Sequence, residues 1–348
     1  MSKSNDRARV VITDFIAAGD TEPEQRILAG VAQVEAFDAH DESELTGRIE
    51  RADAIMLYHH LGLSRRTIER LERCRLIVRC GVGYDNVDWR FAAERGIPVA
   101  NVPDYGTEEV ADSAIGMMLT LTRGIHYLNS RLRSSEGEWK YTQAQPLQRL
   151  RGQTFGIIGL GRIGSAATLR AKALGMKVLF YDPYVWDGAD KMLGIQRVER
   201  LEDLLAQSMV VSLHCPLTEE TRHLMAHNTI AQMPMGSYLV NTSRGGVVDV
   251  RAMPEAIASG RLAGAGIDVL ETEPPRDNDA FITAWRDSAN PCYHRVIVNP
   301  HSAFYCEEGL MEMRLKGSEA CRRSILGLAV RNVINRKRDG NYTCGGKD

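Results

Sequence analysis

The stretch that decides the fold is Thr154-Phe-Gly-Ile-Ile-Gly-Leu-Gly-Arg-Ile-Gly164. Its apolar start, Thr154 to Ile158, predicts a buried strand, and the segment from Arg162 to Leu174 predicts a helix. The G-x-G-x-x-G pattern lies between them. Its first glycine allows a tight turn, its second lets a phosphate approach the backbone, and its third lets the helix pack on the strand. The stretch therefore predicts a dinucleotide site with the pyrophosphate at the helix N-terminus.

The next strand identifies the dinucleotide. Lys177 to Tyr181 predicts a strand, and Asp182 follows it directly. A carboxylate at this position accepts hydrogen bonds from the adenosine-ribose hydroxyls and repels a 2′-phosphate, so it selects NAD over NADP. The predicted NAD-binding residues of this region are Gly159, Gly161, Arg162, Ile163, Gly164 and Asp182.

Short β-branched runs alternate with helix-length segments along most of the chain, as in Ala54 to Tyr58, Met209 to Leu213 and Arg295 to Val298. Such alternation is typical of parallel sheets that are covered by helices on both faces. The chain has 348 residues, enough for about two domains. We therefore predict an α/β protein with more than one core.

Two helical stretches indicate how the domains connect. Thr107 to Arg133 carries Ala, Met, Leu and Ile at mixed spacing and contains no proline, and it predicts one long, largely buried helix. Glu307 to Val333 predicts a second helix, which would carry the chain back to the first domain. We expect a discontinuous substrate domain, 1–106 and 303–348, and an inserted NAD-binding domain, 107–302.

Composition excludes several function classes. Lys plus Arg number 43 and Asp plus Glu number 45, so the chain lacks the basic surplus of a nucleic-acid-binding protein. No apolar run approaches the roughly 20 residues that cross a bilayer. Seven scattered cysteines without a C-x-x-C pair favour free thiols, and hence a cytoplasmic protein. The polar segment Asn335 to Asp348 predicts a frayed tail.

Three polar residues, Arg244, Glu273 and His301, each follow a predicted strand. Because the carboxyl ends of parallel strands meet at one edge, we expect these side chains to converge beside the nicotinamide. Arg244 would bind the carboxylate and carbonyl oxygen of a 2-oxo acid. His301 would give a proton to that oxygen as hydride reaches the carbon, and would act as base in reverse. Glu273 would fix the tautomer of the imidazole and favour its protonated form.

A second glycine-rich turn follows the predicted strand Leu76 to Val78. It consists of Cys80, Gly81, Val82 and Gly83. Its backbone N–H groups would form a nest for the substrate carboxylate. Cys80 fits a small apolar wall of the pocket better than a nucleophile.

Histidine pairs occur at His59-His60 and at His223 and His227. Neither pair has the H-E-x-x-H pattern, and no cysteine or carboxylate is arranged nearby in the sequence. We therefore predict no metal site.

Taken together, these motifs resemble the D-isomer-specific 2-hydroxyacid dehydrogenase family over nearly the whole chain. The matching motifs are Gly159-x-Gly161-x-x-Gly164 with Asp182, Asn241-Thr-Ser-Arg244-Gly, Asp268-Val-x-x-x-Glu273-Pro, Pro300-His301, Gly81-Val-Gly83-x-Asp85-Asn86 and Val110-Ala-Asp112. The resemblance implies two Rossmann- or flavodoxin-like domains with the site in the cleft, and a cofactor contact for Asp268. It also implies a homodimer formed through the cofactor domain, including the helix from Thr107.

Within the family, the chain resembles the C-terminal-binding protein (CtBP) branch most. The likeness lies in Phe180-Tyr-Asp-Pro-Tyr184, Leu213-His-Cys-Pro216, Ala303-Phe-Tyr305 and Met311-Glu-Met-Arg314. That branch includes corepressors that bind short peptide motifs and bacterial relatives that resemble ordinary dehydrogenases. Where the corepressors have a pocket-lining Trp, this chain has Phe304, and it lacks their long Pro-rich tail. Both differences favour an NAD-dependent D-2-hydroxyacid dehydrogenase, with an NAD(H)-sensing, peptide-binding scaffold as the alternative.

Overall fold

The computed structural model describes residues 7–338 and 341–342, with side chains to residue 336. The chain divides into unit 1, which comprises Met1–Gly106 and Cys306–Asp348, and unit 2, which comprises Thr107–Tyr305. The predicted α/β fold, with one domain inserted into a discontinuous other, is confirmed. Residues 303–305, expected in the discontinuous domain, fall in unit 2. The reason is that Ala303 is held there by Asp268, whose Oδ2 accepts its N–H at 3.0 Å.

The strands are β1 (Ala8–Ile12), β2 (Ala32–Ala36), β3 (Ala54–Leu57), β4 (Leu76–Arg79), β5 (Val99–Asn101), β6 (Thr154–Ile158), β7 (Lys177–Tyr181), β8 (Gln196–Arg197), β9 (Val210–Leu213), β10 (Ser237–Asn241), β11 (Leu262–Ile267), β12 (Val296–Val298), β13 (Lys337–Arg338) and β14 (Asn341–Tyr342). The α-helices are α1 (Glu22–Leu28), α2 (Arg65–Glu69), α3 (Trp89–Glu94), α4 (Thr107–Thr122), α5 (Ile125–Arg133), α6 (Arg162–Ala173), α7 (Ala189–Leu193), α8 (Leu201–Leu205), α9 (His227–Ile230), α10 (Met253–Ala258), α11 (Ala280–Arg286), α12 (Cys292–Arg295) and α13 (Glu307–Ile325).

Unit 1 contains a parallel sheet with the order β2-β1-β3-β4-β5, the flavodoxin-like order. Every residue of β3 and β4 is buried, which explains their continuous apolar sequences. Helix α13 lies close to these strands because of Gly317. A Cβ atom there would come within 2.7 Å of Cys80 Sγ and 3.0 Å of Met56 Cε.

A buried ion pair joins α13 to α1. Arg314 Nε donates to Glu24 Oε1 at 2.6 Å, and its Nη2 donates to Oε2 at 2.8 Å. Glu24 is completely buried and Arg314 is 5% exposed. A third carboxylate, Asp20, accepts from Nη1 at 3.0 Å. This bidentate pairing attaches the returning helix to the start of the chain.

Unit 2 contains a parallel sheet with the order β12-β11-β10-β9-β6-β7-β8. The strand order reverses beside β6, so the turn after β6 lies at the ligand-binding crevice of such a sheet. Helix α4 packs closely on β11 because Gly266 has no side chain; a Cβ atom there would lie 3.0 Å from Met117. The guanidinium of Arg170 on α6 ties α6 to α4 through Glu108 and Asp112, each at 2.5 Å.

Both long helices end earlier than the sequence pattern predicts. The single helix expected over 107–133 is wrong, because α4 and α5 are separated at Gly124, which has a left-handed φ of 62°. No residue of α5 is buried, so only α4 has the expected buried character. Helix α13 stops at Ile325, near Gly327 with φ 70°.

The segment after α13 is also more ordered than expected. Val333 bridges Ala100 beside β5, and Asn335 is only 5% exposed. The amide oxygen of Asn335 accepts the N–H of Val99 at 2.8 Å, and its amide nitrogen donates to Ile97. The expectation of a frayed tail is therefore wrong at Asn335, while most of that segment lies outside the described residues.

Among the helices that the structure describes, none has the length and apolar character needed to cross a membrane. The cysteines among the described residues are all free thiols. Burial raises the pKa of the Cys215 thiol to about 12, so it stays protonated at neutral pH.

Candidate active site

The glycine-rich turn after β6 has the shape that a pyrophosphate needs. Gly159 has φ 92°, and a Cβ atom there would lie 2.7 Å from the backbone nitrogen of Cys215. Gly164 lets α6 start close to β6, since its Cβ would lie 2.1 Å from Gly159 O. By contrast, the Cβ position of exposed Gly161 has no atom within 4 Å. The turn thus leaves open space at the N-terminus of the 12-residue helix α6, and the residues present fit a dinucleotide.

Asp182 lies at the end of β7 beside this turn. Its Oδ2 accepts the N–H of Leu160 at 2.9 Å, and its Oδ1 accepts the N–H of Tyr184 at 2.8 Å. Each carboxylate oxygen has two lone pairs, so both can also accept from a ribose hydroxyl. Arg162 and Ile163 form the first turn of α6, Arg162 exposed and Ile163 half-buried.

His301 and Glu273 are in direct contact. His301 Nδ1 lies 2.7 Å from Glu273 Oε2, and the two side chains are 28% and 34% exposed. The other oxygen, Glu273 Oε1, accepts the N–H of Leu270 at 2.7 Å, which fixes the carboxylate relative to its own loop. His301 has φ 51°, a conformation that histidine adopts more readily than most residues.

Asp268 holds the loop that carries His301. Its Oδ1 accepts the N–H of Ser302 and its Oδ2 that of Ala303, both at 3.0 Å. Its backbone oxygen accepts the N–H of His301 at 2.7 Å. Burial raises the pKa of Asp268, and the two N–H donors and His301 oppose that rise. The residue expected to contact the cofactor is thus 1% exposed and anchors the His301 loop.

Arg244 follows β10 in a tight turn. Asn241 Nδ2 donates to the Arg244 carbonyl oxygen at 3.0 Å. The next residue must be glycine, because a Cβ at Gly245 would lie 1.9 Å from the carbonyl carbon of Leu270. The Arg244 turn therefore lies directly against the loop that carries Glu273. All three predicted side chains belong to this one edge of unit 2.

The comparison with known proteins identifies the family. Residues 115–303 match the family model described as D-isomer specific 2-hydroxyacid dehydrogenase, NAD binding domain. The chain belongs to the D-isomer-specific 2-hydroxyacid dehydrogenase family. NAD is accordingly the cofactor of this 2-hydroxyacid dehydrogenase domain.

Individual members of the family are similar over most of this chain. D-3-phosphoglycerate dehydrogenase of Methanocaldococcus jannaschii is 34% identical over 89% of this chain and 57% of its own length. C-terminal-binding protein 1 of Caenorhabditis elegans is 32% identical over 95% of this chain and 45% of its own length. The chain thus spans about half the length of these curated relatives. D-lactate dehydrogenase from Aquifex aeolicus, crystallised with NAD and lactic acid, is 28% identical with a TM-score of 0.82, covering 97% of this chain and 100% of that one.

The ring of Phe304 lies close to that of His301. The two centroids are 6.0 Å apart and the ring planes are at 85°, an edge-to-face arrangement. Phe304 is half-buried, so an apolar ring lies beside His301. This position is the one at which the sequence differs from the tryptophan of the corepressor branch.

The second glycine turn, in unit 1, lies beside Arg79, a residue to which no role was assigned from the sequence. Gly81 has φ 151°, and a Cβ there would lie 1.7 Å from Arg79 Nη1. Arg79 is only 7% exposed, so a guanidinium is buried directly beside the turn. The signal in the sequence was Arg79 itself, a charged residue at the end of the otherwise apolar strand β4. Cys80 is completely buried, and burial raises the pKa of its thiol. Its backbone is used within unit 1, since its N–H donates to Leu57 at 2.7 Å and its carbonyl oxygen accepts from Arg79 Nη1 at 3.3 Å. The turn continues through Val82 and Gly83.

Each histidine of the His223 and His227 pair has its own carboxylate. His223 Nε2 lies 3.1 Å from Glu271 Oε2, and His227 Nε2 lies 2.8 Å from Glu255 Oε2. The described residues contain no group of three or more His, Cys, Asp or Glu suited to a metal ion. Both histidines contact a glutamate instead.

Proposed function

We propose that this protein is an oxidoreductase that reversibly reduces a 2-oxo acid to the D-2-hydroxy acid with NAD. The observation that carries the proposal is the 2.7 Å contact between His301 Nδ1 and Glu273 Oε2 beside the Arg244 turn. A carboxylate bound to one nitrogen orients the ring and favours its charged form, which is what a general acid requires. The family membership and the NAD turn of unit 2 support the same chemistry.

The roles of the residues follow from their chemistry. Arg244 binds the carboxylate and the carbonyl oxygen of the substrate, because its planar guanidinium matches two oxygens and keeps its charge. His301 uses Nε2 to give a proton to the carbonyl oxygen during reduction and to remove it during oxidation. Bound NAD supplies or accepts the reducing equivalents. Glu273 balances the charge on the imidazole in both directions.

Substrate binding also involves the second glycine turn and Phe304. We assign the turn of Gly81, Val82 and Gly83, with Cys80 behind it, to an anion nest whose donors are the N–H groups of Val82 and Gly83, since the N–H of Gly81 donates to the carbonyl oxygen of Arg79 at 2.9 Å. The buried guanidinium of Arg79 adds a permanent positive charge to this turn. Phe304 offers an apolar ring to the side chain of the substrate, which makes it a determinant of substrate preference.

We also propose a cytoplasmic homodimer that forms through unit 2. Helix α5 and the segment after it expose several large apolar side chains. They are Ile125, Leu132, Trp139 and Tyr141, between 42% and 86% exposed. Apolar patches of this kind mark interfaces. The free thiols of the described cysteines favour a reducing compartment.

The test of the proposed function is oxidation of NADH in the presence of 2-oxo acids of increasing side-chain size, from glyoxylate and pyruvate upwards. We expect turnover with at least one of them, and chiral chromatography should show the D-hydroxy acid. NADH binding is measured in parallel by its fluorescence. A protein that binds NADH but reduces none of these acids would contradict the proposal and favour a scaffold that senses NAD(H).

Asp182 should make the protein strongly selective for NADH over NADPH. A carboxylate held beside the turn repels the 2′-phosphate, so we expect a preference of about 100-fold or more. Asp182→Ala should reduce this preference by about 10-fold. The measurement is the Kd of each cofactor by fluorescence titration.

The control for this prediction is Asp187→Ala. Asp187 is a fully exposed carboxylate on the same loop, paired with Arg197 at 3.2 Å. It should leave the ratio of the two Kd values unchanged. Equal affinities in the wild type would remove the assigned role of Asp182.

A further inference from the structure

The loop from Asp268 to Pro274 is held in its middle as well as at its ends. Glu271, the central acidic residue, contacts two side chains from outside the loop. Its Oε1 accepts from Arg222 Nη1 at 2.5 Å, and its Oε2 lies 3.1 Å from His223 Nε2. Both partners belong to the turn after β9, which is distant in sequence from the loop. A separate part of the chain therefore fixes the segment that carries Glu273.

The same turn also holds the Arg244 segment. The N–H of His223 donates to the carbonyl oxygen of Gly246 at 2.7 Å, and the N–H of Met225 donates to that of Val247 at 3.0 Å. His223 has φ 50°, a strained conformation that persists only where the surroundings fix it. One residue thus contacts the Arg244 segment through its backbone and the Glu273 loop through its side chain.

We propose that the turn from Thr221 to Leu224 is a brace that sets the position of Glu273 and of the Arg244 turn through Glu271 and Gly246. The positioning residues of this brace are Arg222, His223 and Glu271. Its consequence for catalysis rests on the proposed function, whereas its consequence for the position of the Glu273 carboxylate does not.

The positive charges around Glu271 keep its contacts with Arg222 and His223 in place near neutral pH. The hydrogen bond from His223, and the charges of His223 and Arg222, lower the pKa of Glu271, so its carboxylate is ionised there. Arg251 adds a further positive charge and is itself paired with Asp249 at 2.7 Å. Arg222 and Glu271 are about half exposed, so the pair adds little to global stability. The Arg222–Glu271 pair instead acts locally, by fixing the position of the loop.

The brace predicts a change at His301 when Glu271 loses its charge. Charged groups that face His301 include Glu273 at 2.7 Å and the buried Asp268. A loosened loop carries Glu273 away from the imidazole, so the ring is oriented less well. Proton transfer to a 2-oxo acid, which needs a correctly placed imidazole, should then be slower than in the wild type.

The experiment uses Glu271→Gln and His223→Asn in the full chain. Asparagine tolerates the left-handed conformation of His223 but is too short to reach Glu271. The readout is the NMR resonance of the His301 Nδ1–H proton, which reports the hydrogen bond to Glu273 and is assigned from His301→Ala. Glu273→Gln replaces the charged acceptor with a neutral one and should shift this resonance. Each brace variant should shift it in the same direction by a smaller amount, and the double variant no further than Glu271→Gln, which alone affects both the Arg222 and the His223 contact.

Activity and binding give the second readout. Each brace variant should lower kcat/KM for 2-oxo acid reduction by about 3- to 30-fold, because the reaction slows when a catalytic group is displaced from its position. The Kd of NADH and the Tm should stay at wild-type values. The matched control is Glu255→Gln, which breaks the His227–Glu255 pair of the same chemistry at 2.8 Å. It should change none of these quantities.

The outcomes separate the brace from the proposed function. An unmoved His301 Nδ1–H resonance in both variants, with Glu273→Gln moving it, would overturn the brace and leave the proposed function intact. A large fall in Tm in both variants would also overturn it, since the contact would then be a general structural one. If the wild type reduces no 2-oxo acid, the proposed function fails, and the NMR resonance still decides on the brace.

Discussion

Replacing His301 with alanine should lower kcat for 2-oxo acid reduction by about 10²–10⁴-fold, which is the rate enhancement that a general acid usually provides. Without the imidazole, water must protonate the carbonyl oxygen, and Glu273 remains as an unpaired carboxylate near the substrate. The NAD turn and Asp182 belong to the other half of the sheet in unit 2, so the Kd of NADH should stay near the wild-type value. The measurement is steady-state kinetics together with NADH fluorescence.

The backbone conformation of His301 calls for a second variant. Because its φ is 51°, alanine is strained there, whereas asparagine is tolerated. His301→Asn should therefore lose the same activity with less effect on folding. His227→Ala, at an exposed histidine that also pairs with a glutamate, is the control and should keep full activity. If His301→Asn loses NADH binding together with activity, His301 has a structural role instead.

Arg314→Met should be the most destabilising of the substitutions considered, by about 3–5 kcal/mol, because it leaves the carboxylate of Glu24 buried without its partner. Glu24 is completely buried, and both of its oxygens are used by Arg314. Adding Glu24→Leu to Arg314→Met should restore most of the stability, since an apolar pair of similar volume leaves no uncompensated charge.

The measurement is differential scanning calorimetry with and without NADH, because a two-unit chain does not unfold in one step. NADH raises the transition of the unit that binds it and so separates the two transitions. The control is Arg323→Met on the same helix, whose partner Glu319 is 44% exposed at 3.9 Å. It should change the stability by less than about 0.5 kcal/mol. Equal losses in Arg314→Met and in the double variant would show that packing, and not the buried charge, explains the effect.

Much of the site was predictable because its signals are local. The glycine turn after β6 has its glycines at fixed spacing, and Gly159 and Gly164 each have a steric reason in the structure. Arg244, Glu273 and His301 lie three to six residues after the ends of strands. Parallel strands end at one edge, so the common location of these residues follows from sequence alone. The fold class was predictable for the same reason, since most strands are continuous apolar runs.

The features that were not predicted depend on contacts between residues distant in sequence, which a local pattern does not reveal. A single glycine in an apolar helical pattern is usually tolerated, so the break at Gly124 could not be distinguished from a continuous helix. Strand β2 is half-exposed and polar, and it therefore gives no apolar signal. Glu271 and His223 are 48 residues apart, and only the folded chain brings them together. Asn335 sits in a polar segment, and its burial follows from its bonds to Val99 and Ile97.

The discontinuity of unit 1 has a consequence for synthesis. On the ribosome, β1 to β5 emerge before unit 2, while α13 follows about 200 residues later. At roughly 5–20 residues per second, the early strands wait about 10–40 s for that helix. During this time Glu24 lacks its ion-pair partner Arg314, and Met56 and Cys80 are not yet packed against α13. The nascent chain therefore completes the inserted unit first, and the earliest part of the protein to be made is the last to be finished, exposed meanwhile to chaperones and to aggregation.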